Sequence, residues 1–167
     1  MNTYLVYGIG FLGQFLFFSR TILQWFKSEN EGEIVSPVLF WKISLIASQL
    51  MLLYGILRND FAIILGQFIV YFIYVRNLQL KNAWASMPAF FRGFILAVPV
   101  LIIIWLLTGN SINFTSLFRN EKIPLWLLLL GTAGQVIFSF RFVYQWIYSE
   151  KEKESVLPGT FWMISIL

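Results

Sequence analysis

The chain consists of long apolar runs separated by short polar stretches, and it nowhere alternates apolar with polar positions over a sustained length. Runs of span length fall at residues 4–26, 37–57, 61–79, 93–108 and 123–147, and a sixth opens near Pro158 and reaches Leu167. A helix needs ~17–25 residues to cross a bilayer core, so each full run matches or approaches one crossing. Continuous runs predict helices, because a barrel strand would alternate between lipid-facing and lumen-facing positions. The expected fold class is therefore all-α and polytopic. Only Arg58-Asn59-Asp60 separates the second run from the third, which predicts a tight antiparallel hairpin. Ser36-Pro37 predicts an N-cap followed by a first-turn proline for the second helix. Pro99 predicts a bend in the fourth.

Composition removes the soluble alternative. Apolar residues make up 59% of the 167 residues and charged residues 12%, against about 45–50% and about 25% in soluble domains. So short a chain has no core large enough to hide that surface, and its solvent is lipid. Aromatic residues, at 19%, fit interfacial belts. There is no Cys and no His, which removes disulfides, thiolate metal sites and the commonest proton shuttle. A net charge of +4 on few charged groups favours anionic lipid as a partner and no nucleic acid. Met-Asn-Thr-Tyr lacks the basic start of a secretory signal, so the first run is expected to be a retained helix. Lys27, Arg76, Lys81, Arg92, Lys151 and Lys153 fall on one face of the alternating spans, and Arg58, Arg119 and Lys122 on the other. The basic excess predicts an N-terminus outside the cytoplasm.

Self-comparison shows an internal repeat. Residues 10–46 align without a gap onto residues 131–167, at an offset of 121, with 17 of 37 positions identical. The identities include Gly10, Gly13, Gln14, Arg20, Gln24, Trp25, Ser28, Glu29, Pro37, Trp41 and Ser44 with their partners. Apolar composition does not produce such matches. An even number of crossings separates the copies, so both have the same orientation, a design in which a site lies between the repeats. The expected organisation is a first three-helix repeat over residues 1–82, a linker helix with loops over 83–122, and the start of a second repeat over 123–167. The second copy stops inside its second span, and a longer native chain giving three, one and three helices is expected.

The joint pattern of Gly10-x-x-Gly13-Gln14, Arg20, Gln24-Trp25, Ser28-Glu29, Pro37 and Phe40-Trp41 resembles the lipid A biosynthesis N-terminal domain family. Gly66-Gln67, Tyr71, Tyr74 and Arg76-Asn77-Leu78 fit the end of the same unit, and the resemblance covers about residues 5–80 and again 126–167. That family is similar in architecture to the SWEET, SemiSWEET and PQ-loop-like proteins, whose unit is a three-helix bundle. The resemblance implies a bacterial inner-membrane protein of lipid A or lipid-linked sugar metabolism. Its implied partners are an anionic glycolipid or polyprenyl-phosphate sugar, membrane lipids and a glycosyltransferase. In some members the unit precedes lipid-A-disaccharide synthase; 167 residues leave no room for that catalytic domain, so a membrane role without synthase activity is expected.

A helical residue turns about 100°, so with Gly13 at zero, Phe17 falls near 40°, Arg20 near −20° and Gln24 near 20°. Gly10 and Gln14 lie beside this stripe, and Gly134, Gln135, Arg141 and Gln145 repeat it. A polar stripe in a membrane helix faces a neighbour or a cavity. Arg20 and Arg141 are candidate ligands for a phosphate headgroup, since guanidinium is permanently charged and matches phosphate in two-pronged fashion. The competing reading is snorkelling, the commoner role of an arginine near a helix end: Arg20 is seven residues, ~10 Å, from Lys27. Lys42 and Gln49 share a face of the second helix, and snorkelling competes there too. Gln67, Tyr71 and Tyr74 follow i, i+4, i+7 spacing on the third and form a candidate pocket face. The substrate-binding set is thus Arg20, Gln24, Gln14, Lys42, Gln49, Gln67, Tyr71, Arg141, Gln145 and Gln135. The alternating Glu29, Glu31, Glu33 and Glu150, Glu152, Glu154 read as a solvated loop face and not as a metal site. Asn113-Phe114-Thr115 fits a glycosylation pattern, a weak one that the bacterial source implied by the resemblance would make irrelevant. No nucleophile–base pair or phosphate loop is present, and no cofactor or metal is expected. The leading expectation is a protein that binds and translocates an anionic glycolipid; the alternative is a non-transporting membrane partner of a glycosyltransferase.

Overall fold

The computed structural model describes residues 3–108 and 124–166, apart from the side chains of residues 61, 105–108, 128 and 166. Six helices fall within them: α1 (Thr3–Glu31), α2 (Val38–Arg58), α3 (Phe61–Leu80), α4 (Ala89–Thr108), α5 (Leu125–Glu152) and α6 (Gly159–Ile166). There is no strand among the described residues. Four helices are long and apolar enough to cross a membrane, namely Thr3–Glu31, Val38–Arg58, Ala62–Leu80 and Leu125–Glu152, and Ala89–Ile104 is a shorter apolar helix. The protein is an all-α polytopic membrane protein. Pro99 lies inside α4. Arg119, Lys122 and Asn113-Phe114-Thr115 lie outside the described residues.

Two expectations about helix ends are corrected. α1 and α5 run past their apolar segments, so Glu29, Glu31, Glu150 and Glu152 are helical and not on a flexible loop. Glu has good helix propensity, and a helix does not stop where its hydrophobicity does. Each helix instead ends on a residue of positive φ at the same repeat position, Gly32 at 69° and Lys153 at 59°. The chain then turns back so that Val35 N donates to Ser28 Oγ and Val156 N to Ser149 Oγ, both at 3.1 Å. Ser36 does not cap α2. Pro37 occupies the cap position without a side-chain bond, and Ser36 Oγ donates to the Ser155 carbonyl at 3.0 Å, tying one corner to the other.

The α2–α3 hairpin forms as expected. Asn59, left-handed at φ 52°, caps α2 through its N–H, and Asp60 caps α3 by accepting from Ile63 N at 3.1 Å. A short polar side chain tolerates that left-handed conformation.

α1 packs on α2, α2 on α3, α3 on α5 and α5 on α6. Glycine sets the approach of α1 to α2: a Cβ on Gly10 would stand 2.8 Å from the Tyr54 ring and one on Gly13 3.0 Å from Met51. Gly10 meeting Tyr54, and Arg20 meeting Ser44, fix α1 antiparallel to α2. Gly66 beside Gln135, and Asn77 bonded to Gln145, fix α3 parallel to α5. With the hairpin between them, α1, α3 and α5 therefore run the same way. Trp41, Tyr71, Tyr74, Leu52, Leu78 and Phe142 are fully buried, while Phe11, Phe18, Phe90, Leu125 and Leu130 are exposed. Polar Arg20, Gln24, Asn77 and Gln145 are buried among these aromatic and aliphatic side chains while apolar residues cover the outside, the arrangement that lipid as solvent favours.

Candidate functional site

The buried residues of α1 are Val6, Gly10, Gly13, Arg20 and Gln24, one stripe at helical spacing. Arg20 is 4% exposed, so it does not snorkel to the interface. Its Nη1 donates to Ser44 Oγ, which in turn donates to the Phe40 carbonyl at 2.6 Å. Its guanidinium carbon lies 4.5 Å from the Phe17 ring centroid, 4.9 Å from Phe40, 5.3 Å from Tyr74 and 5.2 Å from Phe142. Arg141 repeats this nest with the residues 121 later. Its Nη1 donates to Ser165 Oγ at 3.0 Å, Ser165 Oγ donates to the Phe161 carbonyl at 2.6 Å, and the guanidinium lies 4.0 Å from Phe138 and 5.3 Å from Phe161. Phe142 is shared, at 5.0 Å from Arg141. Aromatic faces partly compensate a desolvated cation. Among the described residues the ion pairs are Lys27–Glu31 and Arg76–Glu150, so neither the buried Arg20 nor the half-buried Arg141 has a carboxylate ion pair there.

Both arginines open onto one cavity of about 610 Å³ between α1, α2, α3 and α5, whose polar lining is Gln14, Arg20, Thr21, Gln67, Gln135 and Arg141. Arg20 Nε, Arg141 Nε, Gln67 Oε1 and Gln135 Nε2 are buried without a hydrogen-bond partner. Unpartnered buried donors on two cations are costly unless something binds them. The repeat is asymmetric here. Gly131 and Gly134 line the cavity and a Cβ on either would meet nothing, whereas their counterparts Gly10 and Gly13 are covered by α2.

Toward the basic end the interior is closed by a polar lock. Fully buried Asn77 of α3 donates to Gln145 Oε1 at 3.1 Å and accepts from Gln145 Nε2 at 2.9 Å and from Ser155 Oγ at 2.6 Å. Gln145 also donates to the Val156 carbonyl and to Ser149 Oγ. Beside it Arg76 forms a two-pronged ion pair with Glu150. Burial lowers the Lys81 pKa from its ordinary value, and nearby Glu154 and Glu31 pull it back up.

Of the ten predicted residues, the fold brings five to the cavity: Arg20, Gln14, Gln67, Arg141 and Gln135. The others lie elsewhere. Gln145 is consumed by the polar lock. Gln24 is buried with both amide atoms unpartnered and does not line the cavity. Gln49 donates to the Tyr71 hydroxyl at 3.1 Å and Tyr71 to the Ile95 carbonyl at 2.8 Å, a tie between α2, α3 and α4. Lys42 is half-buried, away from the cavity. The i, i+4, i+7 face of α3 is thus split: Gln67 and Tyr74 turn toward Arg20, while Tyr71, 40° round, turns to α4. Ser44, Ser165, Phe142 and Asn77 were not among the candidates. The serines were visible as repeat identities; Asn77 lies outside the repeat, and self-comparison carries no signal for it.

The Lipid A Biosynthesis N-terminal domain matches residues 9–79 and 130–167. The chain is 32% identical to a protein of Chlamydia pneumoniae described as lipid-A-disaccharide synthase, over 98% of this chain and 28% of that protein. It is 27% identical to a protein of the same description from Chlamydia trachomatis serovar D, over 97% and 28%, and 28% identical to one from Chlamydia abortus, over 98% and 27%. The chain spans about 28% of the length of these curated relatives. No solved structure matches it. With the family pattern on both copies and an all-helical membrane fold, the chain belongs to the lipid A biosynthesis N-terminal domain family.

Proposed function

We propose that this chain is the membrane-embedded, lipid-holding segment of a lipid A assembly step. It grips an anionic glycolipid or polyprenyl-phosphate sugar by the headgroup and holds it for a glycosyltransferase of the lipid-A-disaccharide synthase type, itself carrying out neither sugar transfer nor transport. The observation that carries this reading is the pair Arg20, buried, and Arg141, half-buried, each with a buried unpartnered Nε, without carboxylate partners among the described residues, and lining one cavity. Two fixed cations match a phosphate group, and the Gln14, Gln67 and Gln135 carboxamides offer donors and acceptors for sugar hydroxyls. The relatives are described as synthases and not as transporters, which favours the partner reading over translocation. The protein sits in the bacterial inner membrane with its N-terminus outside the cytoplasm and is organised as two like units, residues 1–82 and from 123 onward, joined by a linker around α4.

Lipid mass spectrometry on the purified protein tests this. The expected result is a phosphorylated glycolipid on the wild type, reduced at least tenfold in Arg20→Gln/Arg141→Gln, together with a co-purifying glycosyltransferase. Zwitterionic lipid alone on both proteins sinks the headgroup reading. A second reading, translocation, draws on the closure of one end by Asn77 and Gln145. Proteoliposomes that move a labelled anionic glycolipid across the bilayer, with no transferase associating, would replace the first reading by the second.

A further inference from the structure

Beside the headgroup cavity, α3 and α5 enclose a groove of about 190 Å³, lined by residues including Leu65, Ile69, Gln135, Val136, Ser139 and Phe140. Gln135 lines both spaces, so the groove and the charged cavity meet at its carboxamide. Gly66 makes that position available, since a Cβ there would collide with the Gln135 side chain. Leu65, Ile69, Val136 and Phe140 are exposed along the groove, which opens to the lipid side. It runs on past Ile69 and Val143 into a wider space of about 420 Å³ walled by Phe72 and Leu96.

Two polar atoms are out of place in these apolar surroundings. Gln135 Nε2 and Ser139 Oγ, one turn apart on α5, are buried and have no hydrogen-bond partner. Both can donate, and buried donors need an acceptor. Hydrocarbon supplies none. An acyl ester or amide supplies a carbonyl at the junction of headgroup and chain, which is where these two donors stand.

We infer that the α3–α5 groove seats one acyl chain of a lipid whose anionic headgroup occupies the Arg20–Arg141 cavity, with the acyl carbonyl accepting from Gln135 and Ser139. This rests on the headgroup reading and narrows it: the ligand is an acylated phospholipid or glycolipid, not a polyprenyl phosphate, which has no carbonyl. The chain leaves sideways between α3 and α5, so the lipid stays anchored in the bilayer while its headgroup is held.

The test uses the whole chain in detergent and two probes that share a phosphate, dilauroyl phosphatidic acid with two acyl chains and their ester carbonyls, and farnesyl phosphate with one isoprenoid chain and no carbonyl. Native mass spectrometry should show phosphatidic acid bound at least tenfold more tightly than farnesyl phosphate. Val136→Trp, which fills the groove without touching the cavity, should weaken phosphatidic acid at least tenfold. Ser139→Ala should narrow the preference between the two lipids and keeps the inference falsifiable if the tryptophan variant does not fold. Equal binding of the two probes to the wild type, or Val136→Trp and Ser139→Ala both binding like it, overturns the acyl groove. If Arg20→Gln/Arg141→Gln still loses both probes in that case, the headgroup reading stands; if it binds both like the wild type, the headgroup reading falls as well.

Discussion

Arg141→Gln separates a ligand-binding guanidinium from a structural post. The guanidinium carbons of Arg20 and Arg141 lie 5.2 and 5.0 Å from the Phe142 centroid. They are therefore no more than about 10 Å apart, where two like charges repel by about 1.7 kcal/mol at an effective dielectric of 20. Neutralising Arg141 removes that repulsion. Against it stand the bond to Ser165 at 3.0 Å, about 1 kcal/mol, and the stacking on Phe138 at 4.0 Å, about 0.5–1 kcal/mol. The terms nearly cancel, so stability measured by denaturant or SDS unfolding should change by less than about 1 kcal/mol. Binding of an anionic lipid should behave differently, because a charge-assisted contact to phosphate is lost: the Kd should rise at least tenfold, about 1.4 kcal/mol. A double-mutant cycle isolates the repulsion itself. The two single variants each remove it, but the double variant removes it once, so the double should be less stable than the sum of the singles by about 1.7 kcal/mol. An Arg141→Gln protein destabilised by about 3 kcal/mol or more with an unchanged Kd would refute the reasoning, and zero coupling would refute the proximity of the two charges.

Asn77→Ala removes the reciprocal bonds with Gln145 and the bond from Ser155; the orphaned buried groups should cost about 2–4 kcal/mol, and a loss of unfolding free energy well under that range means the lock does not hold the bundle. Gly10→Ala drives a Cβ into the Tyr54 ring at 2.8 Å, while Gly131→Ala at the equivalent repeat position meets nothing. The first should destabilise by about 1–3 kcal/mol and the second be neutral or slightly stabilising; equal thermal shifts would contradict the asymmetry of the two copies. Glu150→Gln breaks the ion pair with Arg76, whose side chains are 27% and 40% exposed. Solvent screening should hold the loss to about 1 kcal/mol or less, shrinking further at high salt, and a salt-independent loss would place the pair in a drier setting than its exposure implies.

Much of the site was legible before any coordinate because membrane helices invert the usual pattern. In a chain this apolar, a periodic polar stripe has one economical destination, the interior, and the stripe of Gly10, Gly13, Arg20 and Gln24 is the buried face of α1. Self-comparison then doubled the reading, since Arg141 with Ser165 repeats Arg20 with Ser44. Residues of equal periodicity part where they meet different neighbours. Gln67 and Tyr71 are one turn apart, yet Tyr71 is drawn to the Ile95 carbonyl because α4 passes there. Gln24 and Gln145 are identical in the repeat, but only Gln145 meets Asn77, because α3 packs on α5 at that level.

The sequence by itself determined the lipid environment, the helical class, the repeat and the polar stripe on which each arginine sits, because these follow from hydropathy and a fixed 3.6-residue period that each segment carries locally. Tertiary structure decided which polar residues share a cavity, which are consumed as fasteners, and where an apolar groove adjoins that cavity. Those outcomes depend on which helix lies alongside which, and at what height. Close approach at Gly10, Gly13 and Gly66 fixes that geometry between segments far apart in the chain.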